Sequence, residues 1–278
     1  MQQVTEVITS RQNPLLTRVT GLAERKYRAR EGLFRFDGKK LFLEALSADL
    51  PLVAVLFRES AMPELLAAAG ERELPGNCRA VCLPDALFDR ISEEKSPEGV
   101  ICVSKYLDKI HKIITIEKRS DFLPALLPGH TLVLESVRDP GNLGTVIRSA
   151  RAFGTANVVL SADCADLYHP RTIRAAMGTL FHQHVIVTED VAGALAALRS
   201  RGRVYATALD EHAAKLSDVK FEANDTAVIG NEGHGLTPAT IAAADAKLYI
   251  PMVPGVESLN AGVAASVVLW ELFRGEKQ

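Results

Sequence analysis

Five polar side chains in the second half of the chain stand where they could act on a ligand: Asn142, Arg148, Glu232, Ser258 and Asn260. They lie in three short segments, 139–148, 229–236 and 250–261, each dense in Gly, Asn or Pro. Each segment follows an apolar, β-like run (132–134, 227–229 and 247–250), so each is expected to end a strand and open a loop or helix. Ligands of α/β proteins bind beyond the carboxyl ends of strands, and three such loops predict one composite pocket. Asn142 suits a helix cap, and Arg148, six residues on, would not share its face. Glu232 sits in a Gly-rich turn, where it should orient a positive group, such as Arg148 or a partner's Arg, or accept a hydrogen bond. Ser258 has the side chain to cap the last helix, whereas Asn260 has no equally good structural reason to be there. No Gly-x-Gly-x-x-Gly follows a strand and no Gly-rich turn runs into Lys-Ser/Thr, which argues against dinucleotide and P-loop sites.

The pattern as a whole is specific. Asn142-x-Gly144-x-x-x-Arg148 is followed by Gly230-Asn231-Glu232-Gly233-His234-Gly235-Leu236, then by Ile250-Pro251-Met252 and Ser258-Leu259-Asn260-Ala261. In this order and spacing the three motifs resemble the SpoU/TrmH family of RNA ribose 2′-O-methyltransferases, of the SPOUT class. The likeness spans roughly residues 130 to 274.

That resemblance implies S-adenosyl-L-methionine as cofactor, held by Gly230, Ile250 and Leu259 with Met252 beside them. It implies a catalytic set of Asn142, Arg148, Glu232, Ser258 and Asn260. An Arg side chain, with a pKa above about 12, is a poor base at neutral pH, so Arg148 is expected to clamp the target phosphate. His234 fills a slot where the family asks for no particular residue and is assigned nothing. The resemblance further implies an α/β SPOUT domain with a carboxyl-terminal trefoil knot, a homodimer, and RNA as substrate. Large-subunit ribosomal RNA is favoured over transfer RNA because a separate small domain precedes the motifs. The competing class is an RNA-binding dimer that has lost catalysis.

These residues need a scaffold. From residue 131 strands and helices alternate, with a helix over 143–153, another over 170–178 and a last one over 259–273, which describes a mostly parallel sheet covered on both faces. The last helix is apolar nearly all round, so its outer side calls for a second protomer. Residues 1–107 read as a smaller α/β domain: one helix over 11–31, started by Asn13-Pro14, then strands at 34–36, 52–57, 79–83 and 100–103. Asn13-Pro14, the run 34–38 and Pro97-x-Gly99 resemble the ribosomal-protein-like RNA-binding domain that often accompanies this family. Residues 108–129 read as a linker, leaving 130–278 as the methyltransferase domain.

Charge is uneven. Nine Lys or Arg against four acids give +5 over residues 1–40 and leave −7 for the rest of a chain of net charge −2. Such an arm could hold phosphates by counterion release, with Arg25, Lys26 and Arg28 as the expected RNA contacts. Four cysteines are too few for a disulfide framework. Cys78 and Cys82 lack a second ligand pair, and His182 and His184 read as an alternating pair at a strand edge, solvated or hydrogen-bonded, so no metal is expected. No apolar run reaches the roughly 18 residues of a membrane span, and a cytoplasmic protein is the simplest expectation.

Overall fold

Strand and helix alternate along the chain as the apolar runs predict. The computed structural model describes residues 6–110, 113–210, 212–256 and 258–275. The first part runs β1 (Glu6–Val7), α1 (Pro14–Gly21), α2 (Arg25–Glu31), β2 (Leu33–Asp37), α3 (Lys39–Ser47), β3 (Leu52–Arg58), α4 (Met62–Ala69), β4 (Arg79–Leu83), α5 (Asp85–Ile91) and β5 (Val100–Lys105). It continues through β6 (Ile113–Ile116), α6 (Phe122–Ala125), β7 (Thr131–Leu134), α7 (Pro140–Ala152), β8 (Asn157–Ser161), α8 (Pro170–Ala176) and β9 (His184–Thr188). The remainder is α9 (Val191–Leu198), β10 (Val204–Thr207), β11 (Ala214–Lys215), β12 (Thr226–Ile229), α10 (Pro238–Ala243), β13 (Ala246–Tyr249) and α11 (Ala261–Gly275). Two compact units result: Met1–Ile110 with Tyr168–Phe181, and His111–Leu167 with His182–Gln278. Among the described residues no helix is long and apolar enough to cross a membrane.

Among the described residues of the first unit five strands lie in the order β1-β4-β3-β5-β2, with β5 antiparallel to both β2 and β3. Side chains alternate across a strand, so each face has its own core. One face gathers Leu33, Leu56, Val81 and Ile101 under Leu16, Val19 and Phe88. On the other side Phe34 and Phe36 meet Tyr168 and Phe181, with ring centroids 4.9 and 5.1 Å apart. Those contacts explain why α8, expected on the second sheet, packs with this unit instead. Tyr168 also stacks on Tyr106 at 3.8 Å, and its hydroxyl accepts a hydrogen bond from the Leu107 amide.

The helix expected over 11–31 is two helices. Asn13 caps α1 and Pro14 opens it, as the sequence predicts. The chain then breaks at 22–24, because Leu22 turns fully into the core and Glu24 takes an extended conformation. The carbonyls of Leu22 and Ala23, left without helical partners, accept hydrogen bonds from Arg28 Nη1. A buried cation at the carboxyl end of a helix meets both its free acceptors and its dipole.

Among the described residues the second unit holds eight strands, all parallel, in the order β11-β13-β10-β12-β7-β8-β9-β6. The stretch 108–129, expected as a linker, supplies the edge strand β6 and the buried Phe122 of α6 to this sheet. One sheet face packs under α9 and α10 through Val133, Val159, Ile186, Val204 and Val228. Helices α7 and α11 cover the other face together and are joined by a 2.7 Å hydrogen bond between Ser149 and Ser266. Strand register aligns Leu134 with Ile229, and Thr207 with Leu248. The carboxyl ends of β7, β12, β10 and β13 therefore stand side by side.

Candidate active site

The first loop leaves β7 and enters α7. Asp139, not Asn142, caps the helix: its carboxylate accepts the Asn142 amide at 2.8 Å. Asp three residues earlier has the shorter reach to the free amides of the first turn, and Pro140 at the first helical position fixes the chain for it. That frees the Asn142 side chain, which projects away from its own helix. Arg148 is exposed on α7 and its side chain, among the described residues, makes no hydrogen bond or ion pair. Six residues at about 100° each set it roughly 120° round the helix from Asn142.

Ahead of this loop Asp163 accepts hydrogen bonds from Ser136, Ser161 and Arg138 at 2.7, 2.6 and 3.1 Å. Partial burial alone would raise its pKa, but these three donors outweigh it and hold it at about 2.

The second loop follows β12. Asn231 organises it, accepting the amides of Gly233 and His234 on its side-chain oxygen and donating Nδ2 to the Ser136 carbonyl at 2.7 Å. Its backbone pairs with Gly235 in both directions. Gly230 is buried, and a Cβ there would lie 2.4 Å from the Gly235 carbonyl carbon. The loop closing on itself is thus what requires glycine at 230. Beyond it, Glu135 accepts the Thr237 amide and the hydroxyls of Thr237 and Thr240 at 2.8, 3.0 and 2.6 Å. Asn231 and Glu135 were not among the expected site residues. An Asn two residues before Gly is an Asx-turn signal for the first; nothing in the sequence marks the second.

The third loop runs from β13 into α11. Here Asn260, not Ser258, is the cap, its Oδ1 accepting the Gly262 and Val263 amides at 3.0 and 3.3 Å. Helix α11 begins at Ala261, two residues later than expected, which puts Ser258 outside capping range. Ser258 is exposed and lines the pocket instead.

Three side chains from the three loops then join. Asn260 Nδ2 donates to Asn142 Oδ1 at 2.9 Å, and Asn142 Nδ2 donates to Glu232 Oε1 at 2.6 Å. An ionised carboxylate only accepts, so Glu232 fixes which way the Asn142 amide faces; the helix amides do the same for Asn260. Glu232 orients Asn142 rather than Arg148. Beside this chain lies a cavity of about 560 Å³. Gly230, Ile250, Met252 and Leu259 line it, as do Glu232 and Thr207. Its volume is of the size that takes a small organic ligand, with apolar walls interrupted by the polar side chains of Thr207, Asn231, Glu232, His234 and Ser258.

In the first unit the three expected RNA contacts separate. Arg25 and Lys26 are exposed, but Arg28 is only 1% exposed and spent on the carbonyls at the end of α1. Arg28 is structural in this fold, which corrects the expectation.

Residues 129–270 match the family described as the SpoU rRNA Methylase family. The chain belongs to that family. Residues 13–102 match the MRM3-like substrate binding domain. Among relatives, the chain is 30% identical over 262 residues to the 23S rRNA (uridine(2479)-2′-O)-methyltransferase of Streptomyces viridochromogenes, covering 91% of this chain and 86% of that one. It is 29% identical to the 23S rRNA (guanosine(2553)-2′-O)-methyltransferase RlmP of Bacillus subtilis, over 90% of this chain and 92% of that one. The SpoU methyltransferase AviRb from S. viridochromogenes, solved with the cofactor AdoMet, superposes with a TM-score of 0.75 at 26% identity, covering 96% and 99% of the two chains. SpoU methylases thus share the fold seen here along nearly the whole chain.

Proposed function

We propose that this SpoU family member transfers a methyl group from S-adenosyl-L-methionine to a ribose 2′-hydroxyl of RNA, with large-subunit ribosomal RNA as substrate. The observation that carries the reading is the chain Asn260–Asn142–Glu232 standing beside a cavity of mixed apolar and polar lining at the carboxyl ends of four parallel strands. The AdoMet-bound relative supports the cofactor, and the 23S rRNA enzymes among the relatives support the substrate. The cavity fits the cofactor on its own chemistry: Ile250, Met252 and Leu259 give apolar walls, while the folded-back turn at Gly230 presents backbone rather than side chain. When bound, S-adenosyl-L-methionine supplies an electrophilic methyl group on a sulfonium.

The chain's own residues then have to align a hydroxyl with that group and ease its proton away; positioning is the larger contribution. Asn142 and Asn260 each use one side-chain N–H in the described chain, leaving a second to hold ribose oxygens. Glu232 keeps the Asn142 amide facing the right way, and the first amides of α11 do so for Asn260. Ser258, exposed at the cavity, orients the substrate hydroxyl. Arg148 clamps the phosphate next to the target ribose, and its fixed charge favours the alkoxide as the hydroxyl proton passes to water, with the demethylated cofactor as leaving group. Arg25 and Lys26 hold RNA on the first unit.

The active form is read as a homodimer acting in the cytoplasm. Val263 and Trp270 of α11 are 50% and 46% exposed, beside Thr145 and Phe153 of α7 on a largely apolar groove. A second copy of α11 is the occupant this reading assigns to the groove. Light scattering on wild type and Trp270→Glu checks it: a dimer that becomes a monomer is expected.

The deciding experiment is calorimetric titration with S-adenosyl-L-methionine and its demethylated product, followed by mass spectrometry of RNA incubated with protein and cofactor. Saturable binding and a ribose gaining one methyl are expected. Cofactor binding without any modified ribose, on naked RNA and on ribosomal particles alike, points to the non-catalytic RNA-binding class.

A further inference from the structure

Helix α2 carries an exposed feature that the methyl-transfer site does not use. Tyr27 is 44% exposed. Its ring rests against Gly21, where an added Cβ would come within 3.3 Å of it. The guanidinium carbon of Arg30 lies 4.4 Å from the ring centroid, a cation–π distance. Arg25 and Lys26 precede the ring, both exposed and neither in an ion pair among the described residues. Arg18 and Arg30, by contrast, share Glu31 at 2.8 and 3.1 Å. The helix is held in this attitude from its other side, where the buried Arg28 grips the end of α1.

We propose that α2 is a stacking platform for an unpaired base of the RNA, the base stacking on the Arg30 guanidinium that the Tyr27 ring backs, with Arg25 and Lys26 taking the flanking phosphates. The proposal rests on the reading that RNA is the substrate and adds which part of an RNA the first unit selects. Aromatic rings and guanidinium planes are the groups on which splayed-out bases stack, and every base offers a π-face. A duplex hides those faces, so the platform favours loops, bulges and single strands. The ring is held against Gly21 and the Arg30 guanidinium lies over it, so docking a base on that guanidinium costs little side-chain freedom.

The test is fluorescence anisotropy on the full chain with a labelled single-stranded RNA and a labelled RNA duplex of equal length, over a range of salt. Tyr27→Ala should weaken single-strand binding about 5- to 150-fold and leave both duplex binding and the salt slope unchanged. Tyr27→Trp should retain wild-type affinity. Arg25→Ala with Lys26→Ala should flatten the salt slope by about 1.4, as expected for two lost single-strand phosphate contacts. Wild-type affinity in Tyr27→Ala overturns the platform alone, and so does an equal loss on duplex. If Tyr27→Ala melts early, loss of single-strand affinity in the well-folded Tyr27→Trp overturns it. A wild-type protein that binds neither RNA overturns the reading of the substrate as well.

Discussion

Asn142 and Glu232 lie 90 residues apart in sequence and 2.6 Å apart in space, the amide of the first donating to the carboxylate of the second. The bond ties the first helix after β7 to the turn after β12, and through Asn260 it reaches the start of α11. A hydrogen bond to a charged group contributes about 1.5–3 kcal/mol, so losing it should cost roughly 10- to 150-fold in turnover if the chain positions substrate. The distinctive prediction is non-additivity. Asn142→Ala, Glu232→Ala and the double variant should show nearly equal rates of methyl transfer, whereas independent roles would multiply the two losses.

Arg148 has no partner among the described residues, so removing it should not disturb the fold. Arg148→Ala is expected to abolish methyl transfer while calorimetry finds S-adenosyl-L-methionine binding unchanged. Arg148→Lys keeps the charge but loses the planar fork, and should recover only part of the rate. Full turnover in the Ala variant would remove Arg148 from the site.

Gly230 has no room for a side chain. In Gly230→Ala the new methyl would press on the backbone of Gly235 and Leu236, at 2.4 and 2.6 Å, and backbone yields less easily than a side chain. Overpacking of this kind costs about 1–3 kcal/mol. A lower melting temperature and weaker cofactor binding should appear together. Loss of affinity with no loss of stability would instead mean that the ligand, and not the turn, needs the space.

Asp163 gives a pH signature. Its pKa is about 2 in the folded protein, below the roughly 3.9 of an unfolded Asp. The group therefore adds stability in full above about pH 4, and that part is lost as pH falls towards 2. Acid unfolding of Asp163→Asn, followed by circular dichroism, should be less steep in that window than wild type. Equal profiles would mean that the Ser136–Arg138 turn holds without the charge.

Arg28→Ala should destabilise the first unit by about 1.5–3 kcal/mol, because it leaves the carbonyls of Leu22 and Ala23 without their charged donor. Above the melting range the protein is lost. Below it, the salt slope of RNA binding should equal that of wild type, since a guanidinium this buried meets no phosphate. A flatter slope would return Arg28 to the RNA-binding set.

Much of the site is legible in the sequence because motif chemistry is local. Asn, Gly and Pro clusters mark the loops, and apolar runs mark the strands that carry them; Gly230, Ile250, Met252 and Leu259 all line one cavity. Helix caps are harder, and the structure corrects two of them, at Asn142 and Ser258. Asp139, Asn142, Ser258 and Asn260 are all good capping types, and only the backbone's actual point of entry into α7 and α11 chooses among them. Arg28 departs from expectation for a related reason: a charge pattern does not tell a solvated arginine from one folded back onto its own chain.

Residue type and spacing along one chain suffice for the alternation of strands and helices, the three loops that meet at one cavity and the membership of the SpoU family. Three features needed the folded chain: Glu232 orients Asn142 and not Arg148, Arg28 caps a helix, and residues 168–181 belong with the first unit. Each of these depends on which distant groups the sheet register and core packing bring within hydrogen-bonding or van der Waals distance. Neither periodicity nor charge along a chain encodes that distance.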